Sequence, residues 1–286
     1  SGANVSAAAL DTASRITMNS PRGIRRGPAY ENDPNSVVDW NYLPVGCATG
    51  FTVAQSGTED YTSITGALAA LPTTLTGNTC IVIKDGATYT SQVTVQGFTN
   101  NNYTLTIMAD PTSGLRPVIA PVANSTAAFQ IMNTSVSITG IDIAPTNAMT
   151  YGIAASSAYI TISSVNVQDA TGRITSRGVS ISSWSTLSYS SITVGSIISL
   201  AMGGTSATVA YSSALASGSF GNTIDGSSHT ISNSFFRNPS NYTMVLYGMN
   251  TTVFRSTITS GGTFAYGIWL SGSSNTISQS YISAPS

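Results

Sequence analysis

Charge is what this chain has least of. Asp, Glu, Lys and Arg make up 7 % of its 286 residues, ten basic against eleven acidic, with one lysine (Lys84) and one histidine (His229). An ordinary soluble domain carries about 25 %. A nucleic-acid-binding surface needs clustered Lys and Arg, so this scarcity excludes a nucleic acid as partner. No run of about 18 apolar residues occurs, so no membrane span is expected. The opening residues, Ser1 to Asp11, lack the basic and apolar regions of a signal peptide, and the chain reads as a mature or excised segment. One histidine and two scattered cysteines cannot close a four-ligand zinc shell, and neither a metal nor a cofactor is expected. The Gly-rich phosphate loops and the Gly-x-Ser-x-Gly nucleophile elbow are also missing.

Hydroxyl groups are abundant instead: 45 Ser and 39 Thr, set among 41 % apolar residues. That apolar fraction can build a core, and a net charge of -1 argues against disorder. Cys47 and Cys80 read either as one disulfide of an exported protein or as two unpaired thiols, one of them buried in the apolar run 80–83. The first of these fits an extracellular or cell-surface location.

The second half repeats. Aligned on one aliphatic anchor, Ile138, Ile162, Leu187, Val209, Ile231, Val253 and Ile277 follow each other at 24, 25, 22, 22, 22 and 24 residues. A Ser or Thr precedes each anchor, and five residues after it stand Ile143, Val167, Ile192, Ala214, Phe236, Ile258 and Ile282. A further apolar pair lies seven to nine residues upstream, as in Phe129/Ile131 and Leu200/Met202, with Val179 and Ile181 displaced by one. Strand alternation turns the anchor inward, but five is an odd interval, so a bend near the second residue is needed to turn both columns to one core. Three residues after the anchor the column changes from Ile141 and Val165 to Ser190, Ser212, Ser234, Ser256 and Ser280. These serines are inward only if their hydroxyls bond along the ladder or to backbone; otherwise they are solvated turn positions. A unit this short cannot bury its apolar side alone, whereas stacked copies can, at roughly 4.8 Å per coil. The pattern predicts an all-β parallel solenoid of 22–25-residue coils.

Residues 51–72 run Phe-Thr-Val-Ala-Gln-Ser-Gly-Thr-Glu-Asp-Tyr-Thr-Ser-Ile-Thr-Gly-Ala-Leu-Ala-Ala-Leu-Pro, followed by Cys80-Ile-Val-Ile-Lys-Asp-Gly-Ala-Thr-Tyr89. Ile64, Leu68 and Leu71 have helical spacing and Pro72 closes the segment, which predicts a short helix capping the open core. This stretch resembles the opening of pectin methylesterases and other right-handed parallel β-helix proteins of the pectin-lyase-like group. The resemblance implies a right-handed single-stranded β-helix. It also implies an esterase segment Asp-Phe-Ile-Phe-Gly with a second Asp, a Gln pair and an Arg, and here Thr223-Ile224-Asp225-Gly226 lacks the aromatics. Polygalacturonase and pectate-lyase signatures are likewise missing.

For catalysis the candidates are few. His229 occupies a position that carries Thr251 and Asn275 in later coils, which makes it a repeat position rather than a triad member. Asp142, with Asn166 one coil on and Asp169 three residues further, is the one carboxylate grouping that could act on a sugar; the alternative is acids and Asn that hold turns. For glycan binding, the column two residues after the anchor includes Tyr189, Tyr211, Asn233 and Arg255, and Trp269 lies on another strand; aromatic faces pack on sugars and polar groups hold hydroxyls. The expectation is an extracellular structural or adhesive solenoid without a catalytic centre, against a carbohydrate-active enzyme or glycan-binding module. Polysaccharide is the candidate ligand. Residues 1–43 read as an N-terminal extension able to act between subunits, and 44–286 as the β-helix with an uncapped C-terminal end, which points to self-association in filaments or to continuation in a longer chain.

Overall fold

Thr161-Ile162-Ser163 is one rung of the architecture: a three-residue strand whose middle side chain is buried and whose neighbours face out. The computed structural model describes residues 44–284 apart from 58, 124, 170, 196–197, 219 and 263–264, so the proposed extension 1–43 lies outside the described residues. Every paired strand is parallel, and the strands form three sheets of ten, eight and nine members in which each neighbour is one coil away in sequence. The anchors stand in register from Ile138 through Ile162, Leu187, Val209, Ile231 and Val253 to Ile277. The column from Ile143 to Ile282 is continuous too. Both join one contiguous core, in which each fully buried aliphatic contributes about 1.5–3 kcal/mol.

A single coil shows how the chain turns. Strand Ile198–Met202 belongs to the eight-stranded sheet, Thr208–Ala210 to the ten-stranded and Ser213–Ala216 to the nine-stranded. Two non-glycine residues with left-handed backbone separate them, Ser206 (φ 57°) and Tyr211 (φ 51°), and Gly204 (φ 75°) adds a third left-handed position ahead of them. The Tyr211 bend is the one that strand parity demands. The Ser206 bend recurs three residues before each anchor, at Ser135, Tyr159, Trp184, Ser228, Asn250 and Ser274. Upstream, a register irregularity between Met149 and Tyr151 absorbs the extra residue of the 25-residue coil, so Ile153 pairs with Val179.

The first coil is closed as expected. Helix Ile64–Ala69 starts at Ser63, whose hydroxyl accepts the Gly66 N–H (3.1 Å), and it buries Ile64 and Ala67 against the opening strands. Cys47 and Cys80 are joined in a disulfide with a Cα–Cα distance of 5.8 Å, tying the approach to strand Thr49–Val53 to strand Thr79–Ile83. In the last described coil Leu270 and Ile282 are half exposed, although they continue buried columns.

Candidate functional site

The site is built on the bend two residues after each anchor. Backbone φ there is 74° at Gly140 and then 53° at Ser164, 49° at Tyr189, 51° at Tyr211, 49° at Asn233, 48° at Arg255 and 50° at Gln279. Non-glycine residues rarely adopt this region, so something other than the bend residue must hold it. The serine column does so. Ser190, Ser212, Ser234 and Ser256 are buried, and each Oγ donates to the carbonyl two residues earlier, across the bend, at 2.8, 2.9, 2.7 and 3.0 Å. Each Oγ also accepts a backbone N–H from the preceding coil, as from Ser190 N–H to Ser212 Oγ and Ser212 N–H to Ser234 Oγ, both at 3.2 Å. The serines are therefore inward, with their hydroxyls fully engaged. Ser234→Ala leaves the Ser212 N–H and the Ser232 carbonyl without these partners, and is expected to destabilise the chain by about 1–3 kcal/mol in urea titration. Ser280→Ala, in the more exposed last coil, should cost less.

With the bend held from beneath, its side chain projects from the corner between the ten- and nine-stranded sheets. Tyr189 and Tyr211 stack at 5.1 Å between ring centroids with 3° between planes, and both are more than half exposed. Asn233 and Arg255 continue this rail, and Arg255 Nε donates to Gln279 Oε1 (2.9 Å). A second rail runs beside it on the nine-stranded sheet: Asn166, Ser191, Ser213, Phe235 and Thr257, in register coil by coil. Between the rails lies an open groove of about 730 Å³, floored by Ser190, Ser212 and Ser234. Four of the glycan candidates are thus brought together. Trp269 is not among them.

Trp269 stands on the eight-stranded sheet, 5.2 Å from the Tyr242 ring at 57°. Tyr242 belongs to a ladder with Phe220 (5.8 Å, 13°) and Tyr266 (5.4 Å, 9°). That ladder was missed in the sequence, although its spacings of 22 and 24 match the repeat.

The catalytic candidates divide. Asp142 and Asn166 meet: Asp142 Oδ1 accepts from Asn166 Nδ2 (2.8 Å) and from Arg116 Nε (2.8 Å), and Arg116 Nη2 also reaches the Ser164 carbonyl (2.7 Å). Asp169 lies on the other side of the strand, two residues after buried Val167 and itself buried. Its carboxylate accepts N–H groups of Arg173 (2.8 Å) and Ile174 (2.6 Å) and so holds the following loop. Asp142 and Asp169 therefore do not face one cleft. His229 is buried, with Nδ1 accepting the Ala207 N–H (3.1 Å) and Nε2 donating to the Asp225 carbonyl (2.7 Å), so both ring nitrogens serve the backbone. The column of the eight-stranded sheet that alternates with the core positions reads Thr94, Gln130, Ala154, Ser180, Ala201, Thr223, Val245 and Trp269, with Ala201 and Val245 buried and no carboxylate among them. Beside the helix, a smaller cavity of about 290 Å³ includes Tyr89. Burial, together with the hydrogen bond to Asp85 (2.8 Å) and that group's charge, pushes the Tyr89 phenol well above its ordinary pKa. Among the described residues, no cluster of three or more His, Cys, Asp or Glu could hold a metal.

Three parallel sheets wound coil over coil define a parallel β-helix, and the solved structures it resembles are right-handed. Among solved structures, the chain is similar to the pectin methylesterase from Aspergillus niger in deglycosylated form, with a TM-score of 0.57 and 14 % identity over 84 % of this chain and 86 % of that one. It is similar to pectate lyase Pel9A (TM-score 0.52, 15 % identity, 83 % and 64 % covered). It is also similar to a pectin methylesterase in complex with a hexasaccharide (TM-score 0.52, 14 % identity, 77 % and 80 % covered). At these identities the likeness carries the fold and not the chemistry. No protein-family model and no curated protein matches the sequence.

Proposed function

We propose that this chain is the body of an extracellular, adhesive β-solenoid that holds polysaccharide in its corner groove without cleaving it. The observation that carries this reading is the pair of in-register rails, with stacked Tyr189 and Tyr211 on one and Phe235 on the other, in the middle of the solenoid. The disulfide supports an oxidising compartment. The rival reading, a carbohydrate-active enzyme acting through Asp142, Asn166 and Asp169, has less support because Asp142 is spent on Arg116 and Asn166 while Asp169 holds a loop from the inside.

The test is sedimentation of the purified chain with insoluble plant and bacterial polysaccharides, alongside assay of the supernatant for released reducing ends. Depletion of the protein without sugar release is expected, and Asp142→Ala should sediment like the parent chain. Sugar release that disappears in Asp142→Ala would instead establish the enzyme.

A second reading is self-association or continuation in a longer chain, either of which would cover the half-exposed Leu270 and Ile282 of the last described coil. Helix Ile64–Ala69 covers the opposite end of the core, so head-to-tail growth would seat this apolar coil on a helix rather than on open strands.

A further inference from the structure

We infer that the groove takes an uncharged, extended polysaccharide lying along the solenoid axis, one sugar per coil. This inference rests on the glycan reading of the groove and adds orientation, length and charge class to it.

Orientation follows from register. Each member of a rail is displaced from the next by one coil, roughly 4.8 Å, and a sugar unit in an extended β-1,4-linked chain advances by about the same distance. A chain laid along the axis therefore meets a like-placed group at every residue: Tyr189, Tyr211, Asn233 and Arg255 on one side, Ser191, Ser213 and Phe235 among those on the other. A chain laid across the corner would meet one member of each rail and then leave the groove. The serines of the floor offer little, since their hydroxyls already donate and accept within the backbone. Recognition then falls to phenol, amide and hydroxyl groups of the rails, with the stacked tyrosines turning their hydroxyls and ring edges outward, which suits sugar hydroxyls.

The charge class follows from what lines the groove. Among the described residues that line it, Arg255 is the one ionised side chain, and its Nε is held by Gln279. Asn166, at the other end, donates to Asp142, whose charge is balanced by Arg116 at 2.6 Å. A polyuronate would bring a carboxylate with every sugar against one guanidinium over four coils, with Asp142 near the end of the track. Desolvating those carboxylates without partners is unfavourable. The fold's likeness to pectin-acting proteins therefore does not extend to an acidic ligand in this groove.

The test is calorimetric titration of the full chain with β-1,4-linked glucose, mannose and xylose oligomers of two to six units, and with hexagalacturonate as the acidic probe. At least one neutral series should bind, tightening up to the tetramer and then levelling off. Its affinity should be unchanged by about 0.5 M salt, where screening is nearly complete. The double variant Tyr189→Asn, Tyr211→Asn keeps a side chain already used at this bend by Asn233, so it should fold, and it should bind at least about tenfold more weakly. Hexagalacturonate binding that is lost in the double variant and falls with salt would overturn the charge class while leaving a glycan-binding groove. Affinity that stops rising at the disaccharide would overturn the axial placement. Absence of binding to every probe would overturn both this inference and the glycan reading beneath it.

Discussion

Phe236→Ala is expected to lower the free energy of unfolding by about 3–5 kcal/mol, read as a drop in the urea midpoint followed by circular dichroism. Phe236 is fully buried, and in its inward column it stands between Ala214 and Ile258. In that column the large ring follows the small Ala214 one coil earlier. Because hydrogen-bonded ladders fix the separation of coils, the surroundings cannot close on the cavity, which places the cost toward the upper part of the range. In a stack where each coil touches chiefly its neighbours, the damage should stay local. Hydrogen exchange should quicken in strands Ser213–Ala216 and Thr257–Ser260, while Thr79–Ile83 keeps its protection. A midpoint equal to that of the parent chain would contradict the assigned core.

Gly226→Ala is expected to cost about 2–6 kcal/mol, from a residue forced into a disfavoured backbone region together with overpacking. Gly226 has φ of +98°, and an added Cβ would lie 1.9 Å from the Gly204 carbonyl oxygen in the preceding coil. Backbone on one side and a ladder on the other leave neither atom free to yield. Gly97→Ala provides the control: its φ is +86°, but nothing lies within 4 Å of the added carbon, so it should suffer the backbone strain alone. The difference in midpoint between the two variants isolates the clash. Equal midpoints would mean that the coils can separate at Gly226 without loss.

Much of this architecture was legible because burial leaves a simple mark. Ile162, Leu187 and Ile231 recur where a coil returns to the core, and the odd interval to Val167, Ile192 and Phe236 requires the bend now seen at Ser164, Tyr189 and Asn233. The bend three residues before the anchor left no such mark. It carries Ser135, Ser206, Ser228 and Ser274 but also Tyr159, Trp184 and Asn250, and in a chain with 45 serines that does not stand out from the background. Hydroxyls are ambiguous in a different way, since a serine satisfies water and backbone equally, and only the ladder geometry settles Ser190 to Ser256 as inward. Two signals were present and unread. Asp169 stands two residues after inward Val167, so strand alternation already turns it away from Asp142. Gly204, Gly226, Gly248 and Gly272 each stand five residues before an anchor, and at Gly226, Gly248 and Gly272 an added Cβ would strike the preceding coil's backbone. The groove's second rail could not be read before the register was known, because Asn166, Ser191, Ser213, Phe235 and Thr257 have no common type.

The hydroxyl column under the corner also separates two demands that most binding surfaces combine. Positions 189, 211, 233 and 255 contribute identity to the exterior and almost nothing to the backbone that carries them, since the bend is closed by the residue that follows. Sequence drift should therefore accumulate there faster than at the flanking serines. A library at those four codons that leaves out proline and the β-branched residues, which the left-handed backbone excludes or strains, would sample new specificities on an unchanged frame, with reach extended by adding turns rather than by redesigning loops.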